Sequence, residues 1–209
     1  MTAQIEMSEA ALAGEAVRGV TATHGTAKAR IERAALALFA AHGVDGTSIR
    51  EIAGRAGLSE GSIYKNFDSK DALAEVLFEA IHARLHALVQ TAIAESADFP
   101  DAVRRVAAAY CEAADSDREL FEYHLTHMFR FGRTDRPGRP DPTALVAARI
   151  EEAMKAGDCP PGDAEIKAAA ALGVVLQPAA HRMAGRFAGD LARRSDALAR
   201  AALAALKEA

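Results

Sequence analysis

The sequence predicts an all-α protein in which an N-terminal three-helix, helix-turn-helix domain is joined by one long helix to a larger helical domain. Half of the 209 residues are apolar and Trp is absent, and this composition favours helices over sheets. Apolar residues recur at helical spacing along most of the chain. Residues 47–71 also carry the start and stop signals of two short helices separated by a tight turn.

The first firm helix is expected over Thr26–His42. Its apolar face is formed by residues at helical spacing, namely Ile31, Ala35, Leu38 and Phe39, and Gly43 ends it. Residues 1–25 precede it as an N-terminal extension. Three glycines weaken the helical pattern of this extension and its net charge is acidic, so we expect it to be mobile.

Two capping patterns define the helix-turn-helix. Ser48 and Glu51 form a Ser-x-x-Glu capping box, so a helix begins near Thr47 or Ser48. Gly57 ends that helix, because glycine tolerates a positive φ at little cost. Ser59 then caps a second helix, expected over Ser59–Phe67, whose inner side carries Ile63 and Phe67.

The outer face of that second helix is polar and is not needed to fill a core. Its small residues allow close approach to DNA, Lys65, Asn66 and Ser62 would read base edges, and Tyr64, Thr47 and Lys70 would hold phosphates. An ordinary helical corner with solvated outer residues is the alternative interpretation. The predicted DNA-binding residues are Thr47, Ser48, Arg50, Glu60, Gly61, Ser62, Tyr64, Lys65, Asn66 and Lys70.

A long helix is expected from about Ser69 to Ala94, because its apolar pattern is unbroken. We therefore place a DNA-binding domain at 26–72 and a second helical domain at 73–209, with the boundary inside this helix and no flexible linker. Breaks rich in Pro and Gly separate the later helices. These helices are expected at about 99–114, 117–129, 142–157, 163–185 and 195–207.

Residues 34–73 resemble the DNA-binding segment of the TetR family of bacterial transcriptional regulators. The matching pieces are Ala34-Ala35-x-x-Leu38-Phe39, His42-Gly43, Thr47-Ser48-x-x-x-Ile52-Ala53, Ala56-Gly57-Leu58-Ser59, Gly61-Ser62-Ile63-Tyr64, Phe67 and Ser69-Lys70-x-x-Leu73. The resemblance implies an all-helical homodimer whose second domain binds a small molecule and forms the dimer interface. Many relatives have Tyr or Arg followed by His where this chain has Lys65-Asn66, so the DNA sequence that is read is not implied.

Two sets of residues in the second domain follow from its pattern together with this resemblance. A cluster of aromatic, His and Met residues suits a small-ligand pocket, and the alternative is ordinary core. The pocket candidates are Tyr110, Phe121, His124, Met128, Phe129 and Met154. The last two helices would form a four-helix bundle with a second copy, and the alternative is core packing within one subunit. The dimer-interface candidates are Leu172, Val175, Leu176, Ala179, Met183, Leu198, Ala202 and Leu206.

Charge and cysteine content narrow the class of protein further. The net charge is −4, so the chain is not a globally basic nucleic-acid binder, but residues 25–71 carry seven Lys or Arg against six Asp or Glu. Cys111 and Cys159 lack zinc-site spacing and suit a reducing cytoplasm. No apolar run has the length of a membrane span and no signal-peptide pattern is found, so we expect a soluble cytoplasmic protein without membrane contact.

Catalytic and metal chemistry find little support in the sequence. There is no nucleophile elbow, His-Glu-x-x-His motif or phosphate-binding Gly loop, and no cofactor is indicated. His124-x-x-His127 with Glu119 or Glu122 nearby is a weak metal candidate, because spacing fixes no third ligand. We therefore expect no enzyme, no catalytic residues and no bound metal.

The resulting hypothesis is a homodimeric regulator, most simply a repressor, that binds a double-stranded DNA operator and is released by a small-molecule ligand. The Phe78–Leu88 section of the long helix would carry the movement. Two other classes stay open from sequence. One is a ligand-independent DNA-binding or architectural factor, which would lack a sizeable cavity. The other is a helical enzyme, which would lack salt-dependent DNA binding.

Overall fold

The computed structural model describes residues 19–132 and 138–208, and within these ranges it contains helices and no strand. This confirms the predicted all-α class. Residues 1–18 of the expected extension, residues 133–137 of the expected loop and Ala209 lie outside the described residues. The helices are α1 Ala27–His42, α2 Ile49–Ala56, α3 Glu60–Tyr64, α4 Lys70–Ala94, α5 Phe99–Ser116, α6 Arg118–Phe131, α7 Pro142–Ala156, α8 Ala164–Met183 and α9 Ser195–Glu208, with a 3₁₀ turn at Ala192–Arg194 before α9.

The chain divides into two compact units, and the division falls inside α4. The first unit ends at Ala80 and the second begins at Ile81. The sequence-based boundary after residue 72 lies in the first turn of the same helix, because it was drawn where the motif ends. Compactness places the division further along α4, since Leu73, Ala74, Leu77 and Phe78 of this helix are fully buried.

The first unit is built from α1 to α3 and the beginning of α4. Helix α1 begins where predicted, with the Thr26 side chain accepting a hydrogen bond from the Ala29 amide. Its buried apolar face differs in one detail, because Leu36 is fully buried whereas Leu38 is only half-buried. The inner faces of α2 and α3 contribute Ile52 and Ile63, both fully buried.

A buried carboxylate holds the segment that precedes α1. Glu32 is fully buried, and its Oε2 accepts hydrogen bonds from the amides of Val20 at 2.7 Å, Thr21 at 2.9 Å and Ala22 at 3.2 Å. The Thr21 hydroxyl donates to the other carboxylate oxygen. Residues 20–22 are therefore held against α1, so the part of the extension nearest the helix is not the free tail that the sequence suggested.

The second unit packs α5, α7, α8 and α9 around one apolar cluster. Helix α9 packs on α8 and α5, and α7 packs on α8. The cluster has alanines at many positions, which lets the helices approach closely, and larger side chains between them. Its buried members are Phe99, Ala147, Ile150, Ala153, Cys159, Ala168, Ala171, Ala202 and Leu206.

A buried ion pair fixes the segment that joins α8 to α9. Arg182, in the last turn of α8, donates to the carboxylate of Asp115 and to the Ala114 carbonyl at 2.7 Å. Asp115 also accepts hydrogen bonds from the amides of Leu191 at 3.2 Å and Ala192 at 2.8 Å. Burial acts to raise the pKa of Asp115, but these hydrogen bonds and the Arg182 charge together lower it.

Among the described residues, no helix has both the length and the apolar content to cross a bilayer.

Candidate nucleic-acid interface and apolar cavity

The helix-turn-helix corner is formed by the residues that the sequence indicated. Ser48 caps α2, the reciprocal bond from the Ser48 amide to Glu51 measures 2.7 Å, and the capping box is thus confirmed. The hydrogen bonds from the Ser48 hydroxyl and amide lower the pKa of Glu51. Gly57 ends α2 in the left-handed region, with φ of 63°. Arg30 of α1 donates to the Gly57 carbonyl at 3.2 Å and so braces the turn.

Helix α3, the second helix of the helix-turn-helix, is shorter than predicted. It covers Glu60–Tyr64, whereas the sequence suggested Ser59–Phe67. The Ile63 carbonyl accepts hydrogen bonds from the amides of both Asn66 and Phe67 at 2.9 Å, which tightens the chain into a turn. Phe67 stays buried beyond the helix end, with the Lys28 ammonium 5.5 Å from its ring centroid.

Most of the predicted outer face is exposed. Glu60, Gly61, Lys65 and Asn66 are exposed, and Tyr64 has 56% of its surface accessible. Ser48 and Arg50 at the start of α2 are exposed as well. These side chains form one candidate surface for a nucleic acid, and their contacts with bases or phosphates stay predictions.

Two of the predicted base-reading groups also bond to their own helix. The Ser62 hydroxyl lies 3.0 Å from the Ser59 hydroxyl, and Ser62 is half-buried. The Asn66 amide nitrogen donates to the Ser62 carbonyl at 2.8 Å. Lys65 is also exposed on the outer side of α3, and its side chain makes no hydrogen bond to the chain among the described contacts. It is therefore the strongest single candidate on this helix for a base or phosphate contact.

Two of the predicted phosphate-binding groups support the motif from within. Thr47 is 2% exposed, and its hydroxyl donates to the Gly43 carbonyl at 2.8 Å. We expected this side chain to reach a phosphate, but its burial keeps the hydroxyl away from the surface where DNA would bind. Half-buried Lys70 donates to the Thr47 carbonyl at 2.7 Å, so it ties the first turn of α4 to the start of α2.

The predicted pocket residues differ in burial and in surroundings, and their role as a ligand pocket stays a prediction. Phe129 has 92% of its surface exposed, because it lies on the outer side of α6. Tyr110 and Phe121 pack edge to face with ring centroids 6.4 Å apart, and burial raises the pKa of Tyr110. Met128 is half-buried, and Met154 packs against the apolar cluster of the second unit.

His124 belongs to a buried pair that the sequence did not reveal. Its Nε2 lies 3.0 Å from Nδ1 of His82 on α4, and both side chains are buried. Burial, followed by the charges of His82 and Arg139, lowers the pKa of His124 to about 3. His127 instead has its Nδ1 2.9 Å from the Tyr123 carbonyl, so the two histidines of the weak metal candidate engage different partners. The histidine pair was missed because its members are distant in sequence.

An apolar cavity lies elsewhere in the second unit, among α5, α7, α8 and α9, with Ile93 from the last turn of α4. Its cavity volume is about 40 Å³, and the wider unfilled space, which includes open solvent, is about 440 Å³. Its described walls are apolar except for Arg149 of α7. The side chains that face it include Val103, Val106, Ile150, Leu172, Val175 and Leu206. Sequence analysis missed this site because small aliphatic residues spaced along four helices carry no local signal of a cavity.

Most of the predicted dimer-interface residues are buried within the chain itself. Leu172, Val175 and Ala179 of α8 and Ala202 and Leu206 of α9 are each at most 7% exposed. They pack between helices of one subunit and have little surface left for a partner, and their assignment to a dimer interface stays a prediction. Leu176, Met183 and Leu198 are half-buried. Helix α8 carries apolar residues on two faces. The face with Leu172 and Val175 packs inward, and the face with Ile166 points outward.

Comparison with known proteins finds a family match within the first unit. Residues 31–77 match the family described as bacterial regulatory proteins, tetR family. The transcriptional repressor KstR2 of Rhodococcus jostii is 29% identical over 97 residues, which cover 45% of this chain and 48% of that protein. The match therefore spans about half the length of that curated relative.

Solved structures match over most of the chain. The fatty acid degradation regulator FadR of Bacillus halodurans superposes with a TM-score of 0.72 at 17% identity, covering 83% of this chain and 93% of that one. FadR of Bacillus subtilis, in complex with stearoyl-CoA, superposes with a TM-score of 0.68 at 17% identity, covering 84% of this chain and 97% of that one. At these identities the likeness shows a common fold.

Proposed function

We propose that this chain is a TetR-family protein and acts in the cytoplasm as a sequence-specific, DNA-binding transcriptional repressor. The family match of residues 31–77 and the likeness to the repressor KstR2 support this proposal. The observation that carries the proposal is the exposed outer face of α3. Its inner side supplies buried Ile63 to the core, while Tyr64, Lys65 and Asn66 are exposed without serving that core. Such a face suits the major groove, where phosphate contacts orient the helix and base contacts specify sequence.

The proposed contacts divide by chemistry. Lys65 and Asn66 read base edges, with Ser62 beside them, and Asn66 exchanges its bond to the Ser62 carbonyl for one to a base. Tyr64, Arg50 and Ser48 hold phosphates at the edges of the groove. Lys70 holds the motif together through Thr47, and its remaining two N–H donors are available to a phosphate.

The direct test is fluorescence anisotropy of the full chain on labelled genomic fragments that it enriches, beginning with DNA upstream of its own gene. Lys65→Ala is compared with Lys155→Ala, which removes an exposed lysine from α7 in the other unit. We expect selective, salt-sensitive binding, and a loss of about tenfold in affinity for Lys65→Ala but none for Lys155→Ala.

The salt series separates the two roles available to Lys65. A base contact predicts relaxed sequence preference with little change of salt slope, whereas a phosphate contact predicts uniform weakening and a slope smaller by about one. Equal affinity for selected and scrambled duplexes would favour an architectural factor. Absence of binding to any genomic fragment at low salt would reject the regulator and leave the enzyme class.

We also propose that a small, mainly apolar ligand occupies the cavity of the second unit and releases the DNA. The apolar walls support such an occupant, and the stearoyl-CoA held by the Bacillus subtilis structure contains a long apolar chain. Helix α4 begins with Lys70, which is bonded to the helix-turn-helix, and its last turn supplies Ile93 to the cavity. A ligand would act by binding more tightly to the form that cannot hold the operator.

The proposed working state is a homodimer, which would place two copies of α3 on successive half-sites. The outward face of α8 is the candidate contact, because Ile166 is 61% exposed and Ala169, Gly173 and Gln177 are exposed beside it. A side chain at Gly173 meets no atom within 4 Å in the single chain. Gly173→Gln should therefore preserve the fold yet abolish the dimer in light scattering, whereas Ala144→Gln, at an exposed position of α7, should leave the dimer intact. A Gly173→Gln protein that stays dimeric would exclude this face.

A further inference from the structure

Arg149 of α7 is the charged residue among the described residues that line the apolar cavity. Among the described residues that line this space, the others are aliphatic or Phe99, so the cavity offers a bound molecule contact surface but few hydrogen-bonding groups. A single permanent charge beside such a space holds the end of a ligand that carries the opposite charge, so that the apolar end enters the cavity. An arginine does this at every physiological pH, because its guanidinium does not lose its proton.

Contacts within the chain hold the Arg149 guanidinium in place but leave its donors available. It lies 5.3 Å from the ring centroid of Phe99, which is buried, in a cation–π arrangement. A carboxylate oxygen of Glu152 lies 3.9 Å from Nη1, which is beyond hydrogen-bonding distance, and the Glu152 side chain is 71% exposed. The Arg149 side chain is 21% exposed, and no described residue makes a hydrogen bond with it. The guanidinium is thus held beside Phe99 on the cavity wall, and its N–H donors are not used by the described residues.

We propose that this site recognises an amphipathic ligand with an unbranched aliphatic chain and an anionic head, and that Arg149 binds the head. The inference rests on the proposed ligand-responsive function and adds the ligand class and the residue that selects it. The chain enters the apolar space, where each buried methylene strengthens binding roughly fourfold. A carboxylate or phosphate head accepts two parallel hydrogen bonds from the guanidinium, as arginine geometry favours. Arg149 is therefore a specificity-determining residue.

The test measures binding of three probes that share one chain length and differ in the head: dodecanoate, dodecyl phosphate and dodecanol. Isothermal titration calorimetry at pH 7.5, below the micellar concentrations of the probes, suits a chain without Trp. The variants are Arg149→Met, which keeps an apolar stem, Arg149→Lys, which keeps the charge, and Lys155→Met as matched control. Lys155 is an exposed cation on the same helix, 72% accessible and paired with Glu151.

The expected result is that the wild type binds an anionic probe at least about tenfold more tightly than dodecanol. Arg149→Met should abolish that preference while dodecanol binding is retained, Arg149→Lys should keep part of it, and Lys155→Met should leave it unchanged. Comparing dodecanoate with dodecyl phosphate identifies the preferred head. Equal binding of all three probes to the wild type, or an undiminished preference in Arg149→Met, would overturn the proposal.

Operator binding is measured in the same samples so that the two proposals fail separately. If no probe binds while DNA binding persists, the ligand class is wrong and the regulator stands. If Arg149-dependent binding is found but no genomic DNA is bound, the ligand site stands and the regulator is wrong.

Discussion

Each of the two units contains a buried or partly buried carboxylate that holds a chain segment, but the two anchors differ in sequence range. Glu32 binds the amides of residues 20–22, which lie 10 to 12 residues away. Asp115 binds Arg182, Leu191 and Ala192, which lie 67 to 77 residues away. The first unit is thus assembled from local signals, whereas the second depends on contacts that exist only after α5, α8 and α9 have come together.

The strongest test of this contrast is Asp115→Ala. It should lower the free energy of unfolding of the second unit by about 3 kcal/mol, because it leaves the Arg182 guanidinium, 9% exposed, without its ionic partner. Chemical denaturation of the variant would measure the loss. Hydrogen exchange should show that α1 to α3 keep their protection. Asp190→Ala is the control, since the Asp190–Arg193 pair is exposed and should contribute less than about 0.5 kcal/mol.

A second test uses pH, because the His82–His124 pair also belongs to the second unit. The folded state holds His124 in its neutral form with a pKa of about 3, against about 6.5 in the unfolded chain. Its contribution to stability is therefore complete above pH 6.5 and is lost as the pH falls. Between pH 6.5 and 5 the wild type should lose up to about 2 kcal/mol more than His124→Gln in urea denaturation. Equal slopes for the two proteins would contradict the buried neutral pair, and His42→Gln, at an exposed site, should match the wild type.

The smallest effect is expected in the first unit. Ser48→Ala removes one half of the capping box and should cost about 1 kcal/mol, since the Glu51 amide loses the hydroxyl that accepts its hydrogen bond at 3.2 Å. Thermal unfolding would measure the loss, and Ser48→Thr should restore most of it. A Ser48→Ala protein as stable as the wild type would mean that water replaces the cap without penalty.

The helix-turn-helix was predictable because its signals lie within a few residues of what they specify. Ser48 and Glu51 are three apart, and Gly57 directly follows the helix that it ends. Two features of this unit were not predicted from the sequence: the burial of a side chain and the end of a helix. Thr47 faces inward and α3 stops at Tyr64, because packing around Phe67 turns the chain there.

The second unit was predictable in its helices but not in its faces. The apolar periodicity of α8 is compatible with either side of that helix facing inward, and the folded chain buries Leu172 and Val175 while leaving Ile166 exposed. Aromatic and histidine side chains on α6 attracted the pocket prediction, yet Phe129 points outward. The cavity found among α5, α7, α8 and α9 is lined mainly by aliphatic residues that are unremarkable in sequence, and the α6 pocket stays a prediction.

The sequence by itself determined the helical class, most of the helix starts and the family resemblance, because caps, glycines and apolar spacing act over a few residues. The tertiary structure decided which faces are buried, where the cavity lies and which charged residue lines it. Burial is a property of surfaces brought together from distant parts of the chain. The Arg149 guanidinium is therefore a candidate binding group only after folding has placed it against the ring of Phe99.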